Sequence, residues 1–171
     1  MTAPVALEPA GPQDAPVLAN LLELYSHDLS DAFALAIGPD GRFGYPRLPL
    51  YFSEPDRRFP FLIRTGGDLA GFVLVTRGSP LGEASDLDVA EFFVLRRHRR
   101  AGVGRQAAVR LWDRMPGHWI VRVADCNRAA LPFWTGVIAA YTGGRFTRQQ
   151  HPSGGRVWTR LGFDAPPPGK I

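Results

Sequence analysis

The chain carries a single cysteine, Cys126, and a single lysine, Lys170, in 171 residues. One cysteine excludes an internal disulfide framework. No histidine is placed by sequence to activate Cys126 as a nucleophile, so it reads as a small buried residue beside Asn127. The four histidines, His27, His98, His118 and His151, show no metal-ligand spacing, and no metal is expected. Neither a Gly-x-Ser-x-Gly elbow nor a Walker-type Gly-Lys-Ser/Thr occurs. No apolar run approaches the ~18 residues of a membrane span. Residues Met1 to Val5 lack the charged and apolar regions of a secretory leader. The expectation is a cytoplasmic protein that does not engage a membrane. No internal repeat is found.

What is present is a core and one concentration of charge. The length suits one domain, at ~100–200 residues each. A composition of 45% hydrophobic and 11% aromatic residues supplies enough apolar material to fold it, which argues against disorder. The formal charge is +4, and Arg96-Arg97-His98-Arg99-Arg100 alone holds four cations, so the rest of the chain is balanced. Every other cation besides Lys170 is an arginine, most of them scattered, as a base composition favouring Arg codons would give. A nucleic-acid surface would need a second basic stripe, and none is seen; no nucleic-acid partner is expected.

The pattern of elements is β-α-α-β-β-β-α-β-α-β-β. Val5 to Glu8 alternates as a strand, and Asp14 can cap a helix with Val17, Leu18, Leu21, Leu22, Leu24 and Tyr25 on one face. A second short helix is expected over Asp31 to Ile37, then a turn at Gly38 to Gly41; residues 42–58 are unassigned. Phe61 to Arg64 and Leu69 to Thr76 read as a hairpin around Gly66-Gly67, with Gly71 marking a bulge or a close backbone approach. Leu87 to Leu95 is a strand, and Val103, Ala107, Leu111 and Met115 recur along a helix ending at Pro116. His118 to Ala124 is a strand with Trp119, Val121 and Val123 on one face. Asn127 is expected to cap the next helix, which Gly143-Gly144 ends. Residues 145–151 and 155–162 form a last strand pair, and a Pro-rich tail follows from 164. Hairpins flanking one βαβ unit make a mixed α+β architecture.

Arg99-Arg100-Ala101-Gly102-Val103-Gly104 joins a strand to a helix. Two glycines let the backbone turn so that N–H groups converge, and the helix adds the positive end of its dipole. Arg96, Arg97 and Arg105 add charge. This suits the phosphates of a nucleotide-type cofactor; the ordinary alternative is a glycine turn beside a solvated charge run. Gly102-Val103-Gly104-Arg105-Gln106-Ala107 also fits a dinucleotide fingerprint, with Asp125 as its acidic residue. Against that reading, several basic residues separate the glycines from the strand, and residues 59–95 read as antiparallel.

Glu91-Phe92-Phe93-Val94-Leu95 followed by Arg-x-x-Gly-x-Gly at 99–104, with Asn127-x-x-Ala130-x-x-Phe133-Trp134 after the next strand, resembles the GNAT N-acetyltransferase superfamily. The likeness spans roughly residues 4–163. Glu-Phe-Phe-Val-Leu-Arg-Arg at 91–97 and Ile-Ala-x-Tyr-Thr-Gly at 138–143 are similar to a poorly characterised predicted-acetyltransferase subgroup. The resemblance implies a single N-acetyltransferase domain over 1–171. Its sheet is central, mixed and mostly antiparallel, with helices on its flanks and two splayed parallel strands. It also implies acetyl-CoA as co-substrate. By that mapping Phe93, Val94 and Leu95 pair with the pantetheine. Arg99, Arg100, Ala101, Gly102, Val103, Gly104 and Arg105 hold the pyrophosphate, and Asn127 and Phe133 line the arm.

Glu91 is the candidate base for a substrate amine attacking the thioester; its ordinary alternative is a strand-end glutamate. The superfamily's frequent tyrosine acid is absent, because Trp134 stands in its place, and Tyr141 lies two turns further along the helix. The acceptor wall is expected between Tyr25 and Tyr51, with Tyr25, Asp28 and Tyr45 as candidate contacts to a small-molecule or peptide amine. Asp31 and Tyr51 lie in the same stretch. The resemblance implies a monomer or homodimer. A fold of this kind that binds acyl-CoA without turnover, as a sensor, is the alternative within the family.

Overall fold

The computed structural model describes residues 3–84, 86–167 and 169. Seven strands form one sheet in the order β1-β2-β3-β4-β5-β7-β6. They are β1 Val5–Pro9, β2 Arg58–Thr65, β3 Asp68–Arg77, β4 Leu87–Val94, β5 Gly117–Ala124, β6 Thr147–Ser153 and β7 Arg156–Ala165. The helices are α1 Ala15–Phe33, α2 Leu50–Ser53, α3 Val103–Arg114 and α4 Ala130–Thr142. Every neighbouring pair is antiparallel except β4 and β5. Parallel neighbours need a crossover such as α3, and such crossovers are right-handed almost without exception.

Strand alternation sends two apolar sets to opposite faces. Phe61, Ile63, Val73, Val75, Trp119, Val121 and Val123 pack with Ala107, Leu111 and Trp112 of α3 and Trp134 and Ile138 of α4. Leu62, Phe72, Leu74 and Phe93 pack with Leu18, Leu21 and Leu22 of α1 and Tyr51 of α2.

The expected element order holds, but several local expectations do not. No separate helix covers Asp31 to Ile37. Instead α1 continues to Phe33 and ends where Ala34 turns left-handed at φ 51°. The second helix lies at Leu50–Ser53, inside the stretch left unassigned. Asn127 does not cap α4: the helix begins at Ala130, with Ala129 at the cap position and no side-chain capping bond. On α1, Leu24 is half exposed rather than part of the buried face. The last strand pairs through Ala165, opposite Gly117; Pro168, Lys170 and Ile171 of the expected tail lie outside the described residues.

Gly71 shows both features expected of it. The β2–β3 register shifts beside it, between Ile63 and Arg64. A Cβ added there would stand 1.9 Å from the Phe93 carbonyl oxygen, on the backbone of β4. Gly71→Ala is therefore expected to destabilise at the upper end of the ~1–3 kcal/mol that overpacking costs. In a domain of this size that is a Tm fall of roughly 6–12 °C by calorimetry. An unchanged Tm would mean that the two strands do not approach as described.

Candidate active site

A bulge in β4 creates the site. Leu74 pairs with Glu91 but Val75 pairs with Val89, so Ala90 is an extra residue. An extra residue inverts the alternation beyond it. Val89 faces the α3–α4 core, whereas Glu91 shares the α1 face with its partner Leu74. Tyr25 of α1, edge-on to Phe72 and Phe93, donates its hydroxyl to Glu91 Oε2 at 2.6 Å. Tyr45 donates to Oε1 at 2.9 Å. Tyr45 arrives on the loop after α1, which Glu23 holds in place: its two carboxylate oxygens accept the N–H groups of Phe43 and Gly44, both at 2.8 Å.

Burial raises the Glu91 pKa, and the bonds from Tyr25 and Tyr45 offset that only in part. The tyrosines move upward too. Burial and then the Glu91 charge raise Tyr25 well above its ordinary value and raise Tyr45 likewise. Tyr51 is pushed up to about 12, again by burial first. These phenols therefore remain donors at neutral pH, and the carboxylate they hold is a stronger base than a solvated one.

β4 and β5 hydrogen-bond only at Leu87–Trp119 and Asp88–Ile120. Beyond that point β4 stays with β3 to Val94 and β5 stays with β7 to Ala124, so the two part at the level of Glu91. Phe92 on the opposite face of β4 meets Phe133 and Trp134 of α4, with ring centroids 6.0 and 4.9 Å away. Phe93 and Val94 are buried, and the Leu95 N–H donates to the Ala70 carbonyl. Asn127 lies in the loop between β5 and α4.

The basic segment forms a short 3-10 turn at Arg96–His98 and then enters α3. Arg100 at φ 60° and Gly102 at φ 77° are both left-handed. The first bond inside the helix is Gln106 N–H to the Gly102 carbonyl, so the N–H groups of Val103, Gly104 and Arg105 have no carbonyl in the helix to meet. They and the helix dipole make an anion-binding end. Gly104 keeps that end open: a Cβ there would lie 3.2 Å from Phe133 Cζ.

Two arginines of the segment are otherwise engaged. Asp28 accepts from Arg96 at 2.8 Å and from Arg99, and Arg99 also donates to the Val94 carbonyl at 2.6 Å. Partial burial works to raise the Asp28 pKa, but Arg99 and Arg96 outweigh it and hold the carboxyl below its ordinary value. Asp28, a candidate acceptor contact by sequence, thus fastens the basic segment to α1. Arg97, Arg100 and Arg105 are exposed and make no ion pair among the described residues.

The profile of the acetyltransferase (GNAT) family matches residues 19–137. The chain belongs to that family.

The structural likeness agrees. An acetyltransferase from Thermus thermophilus superposes with a TM-score of 0.65 at 21% identity, over 96% of this chain and 99% of that one. The YncA protein of Salmonella typhimurium, solved with its cofactor acetyl-CoA, gives 0.64 at 14% identity, over 99% and 98%. Spermidine N-acetyltransferase from Vibrio cholerae, solved with CoA and spermine, gives 0.61 at 13%, over 94% and 95%. No curated protein matches the sequence.

Membership in the GNAT family settles the expected fold, with its single parallel pair and splayed strands. It removes the dinucleotide reading, which needs further parallel βαβ units. Trp134 is buried against Trp112, Phe92 and Phe133. Tyr141 packs at a tilt against Trp112 and donates to Asp113 at 3.0 Å; burial, ahead of Asp113, pushes its pKa up to about 12. Among the described residues no group of three or more His, Cys, Asp or Glu is placed to hold a metal ion, and no helix is long and apolar enough to cross a membrane.

Sequence reading missed Glu23 and the Asp88–Arg122 pair. Asp88 is fully buried, takes a two-pronged bond from Arg122 at 2.7 and 2.8 Å, and accepts from Ser79. One signal was available: an acid at 88 and an arginine at 122, each inside a largely apolar strand.

Proposed function

We propose that this GNAT chain is an acetyl-CoA-dependent N-acetyltransferase acting on a primary amine, with Glu91 as general base. The observation that carries the reading is a partly buried carboxylate of raised pKa, held on both oxygens, at the level where the two parallel strands part.

The residues present fit the co-substrate. A helix end with three outward N–H groups, a left-handed Gly102 and a glycine at 104 suits a pyrophosphate. Arg100, Ala101, Gly102, Val103, Gly104 and Arg105 would hold it, with Arg99 fixing the turn through Val94. Phe93, Val94, Leu95, Asn127 and Phe133 would flank the arm. Acetyl-CoA supplies the acyl group as an activated thioester. Glu91 takes the proton of the incoming ammonium, directly or through water, so that the amine's lone pair is free to attack. Tyr25 and Tyr45 hold the carboxylate in one orientation. The departing thiolate needs no tyrosine acid at the Trp134 position if it leaves as the anion or is protonated by water.

The test is thermal and kinetic. At a hundredfold excess over Kd, acetyl-CoA contributes ~2.7 kcal/mol, a Tm rise of roughly 5–10 °C here. Release of free CoA over a panel of amines should follow. A Tm rise without turnover on any amine would leave the sensor reading standing in place of the enzyme.

A further inference from the structure

The parting of β4 from β5 leaves two banks of opposite charge on the α1 face. Glu91, with its two tyrosines, is on the β4 bank. The apolar cluster under α1 and α2 draws on β2, β3 and β4, and α1 meets β7 at its C-terminal end, where the Ala32 and Phe33 carbonyls accept from Arg156.

Register shows what stands there. Arg122 pairs with Arg160, Ala124 with Trp158, Arg160 with Gln149 and Trp158 with His151; directly paired residues share a face. Arg156 follows by alternation. Arg122 lies over the Trp158 ring at 6.0 Å from its centroid. The bank is therefore three partly buried arginines and a tryptophan on one face; the Arg156 guanidinium lies over Phe33 at the end of α1.

The acids beside them do not balance the charge. Asp88 is taken by Arg122, and Asp164 meets His118 at the far end of the strands. Asp125, on the loop after β5, accepts the Val157 N–H. Arg160 donates to the Leu81 carbonyl at 2.6 Å. Arg156 donates to the Ala32 and Phe33 carbonyls and to Cys126 Sγ. Among the described residues neither has a carboxylate partner. His151 Nε2 is buried and likewise without one.

Resting on the N-acetyltransferase reading, we propose that the acceptor is a small amine that also carries a carboxylate, an amino acid in class. Its ammonium lies against Glu91 and its carboxylate against the Arg122–Trp158–Arg160 bank, which bridges the gap. Arg122 already holds Asp88 with Nε and Nη2, so the carboxylate pairs with the terminal nitrogens of Arg160, whose Nε alone is on the Leu81 carbonyl. A guanidinium–carboxylate bond is charge-assisted, and a partly covered site strengthens it. A polyamine would set a second cation against this bank at a cost in Coulomb energy. The one transfer involved breaks the thioester C–S bond and forms an amide C–N bond. One ammonium proton leaves toward Glu91 before attack. The second, lost from nitrogen as the amide forms, goes to the sulfur or to water, and the sulfur departs with the electron pair of the C–S bond.

The experiment compares kcat/KM for the common α-amino acids, their carboxamides and spermidine, all with acetyl-CoA. The free amino acids are expected to exceed their own carboxamides by at least roughly 10-fold, the size of one lost charged hydrogen bond. Arg160→Gln should narrow that ratio through KM, and Arg160→Glu should invert it. Arg160→Gln must keep the acetyl-CoA Tm shift, which shows that it folds. Equal or better turnover of carboxamides or spermidine by the native protein would overturn this inference and leave the N-acetyltransferase function intact. An acetyl-CoA Tm shift with no turnover of any amine would overturn both.

Discussion

Glu91→Gln is expected to lower kcat by roughly 10²–10⁴, the range general-base catalysis supplies, while leaving the acetyl-CoA Tm shift in place. Gln is isosteric with Glu. One tyrosine can still donate to its amide oxygen and the other can accept from its NH₂. The tyrosine frame survives and only the proton acceptor goes. Burial raises the Glu91 pKa, so the native rate should rise with pH along a limb above the ordinary carboxylate range. In the Gln variant that limb disappears. The deficit is largest on the alkaline side of it, where the native carboxylate is ionised.

Stability should move the other way. A carboxyl whose folded pKa exceeds its unfolded value binds more protons when folded. Its contribution is most favourable below the unfolded pKa and declines as pH rises through the folded one. At neutral pH the native chain keeps a buried charge that Gln lacks, so Glu91→Gln should unfold no earlier than the native protein. A kcat unchanged across pH would remove Glu91 from the mechanism; a collapsed Tm would make its role structural.

How this carboxylate came to its place shows what could be read from the chain and what could not. The glutamate, the Gly-x-Gly turn and the alternation of Trp119, Val121 and Val123 are local patterns, and each appears where the sequence puts it. The Ala90 bulge is not local. Without it Glu91 would share a face with Val89 and point into the α3–α4 core, and no residue type at 90 announces the extra step. The tyrosines fared similarly. Tyr25 and Tyr45 were candidates for an acceptor amine, yet their hydroxyls converge on Glu91 from 66 and 46 residues away. That meeting depends on Glu23 fixing the intervening loop, a contact between chain segments that periodicity does not encode. The basic pentapeptide was legible as an excess of charge but not as an allocation. Asp28 takes Arg96 and Arg99, and Arg97 and Arg100 stay exposed beside the helix end. The arginine bank on β5 and β7 stayed hidden because the three residues, scattered at 122, 156 and 160, come together only through strand pairing.

Gly104→Leu should abolish the acetyl-CoA Tm shift, a loss of the roughly 5–10 °C that ~2.7 kcal/mol of linkage gives a domain of this size. Leu is a good helix former, so its propensity does not oppose α3. The obstacle is local: even its Cβ would stand 3.2 Å from Phe133 Cζ and 3.7 Å from Phe92 Cε1, and the isobutyl group must displace Phe133 or lie across the outward N–H groups of Val103 and Arg105. Either outcome closes the place proposed for the phosphates or the arm. Gly102 offers a control of different physics. A Cβ at Gly102 meets only Gln106 Nε2, at 3.7 Å, but the residue needs φ 77°, which Asn adopts more readily than a branched residue does. Gly102→Asn should therefore keep most of the shift and Gly102→Val should lose it, by strain rather than obstruction. If Gly104→Leu keeps its shift while remaining folded, the phosphates do not sit at the start of α3. The surplus of Arg97, Arg100 and Arg105 would then need another anion.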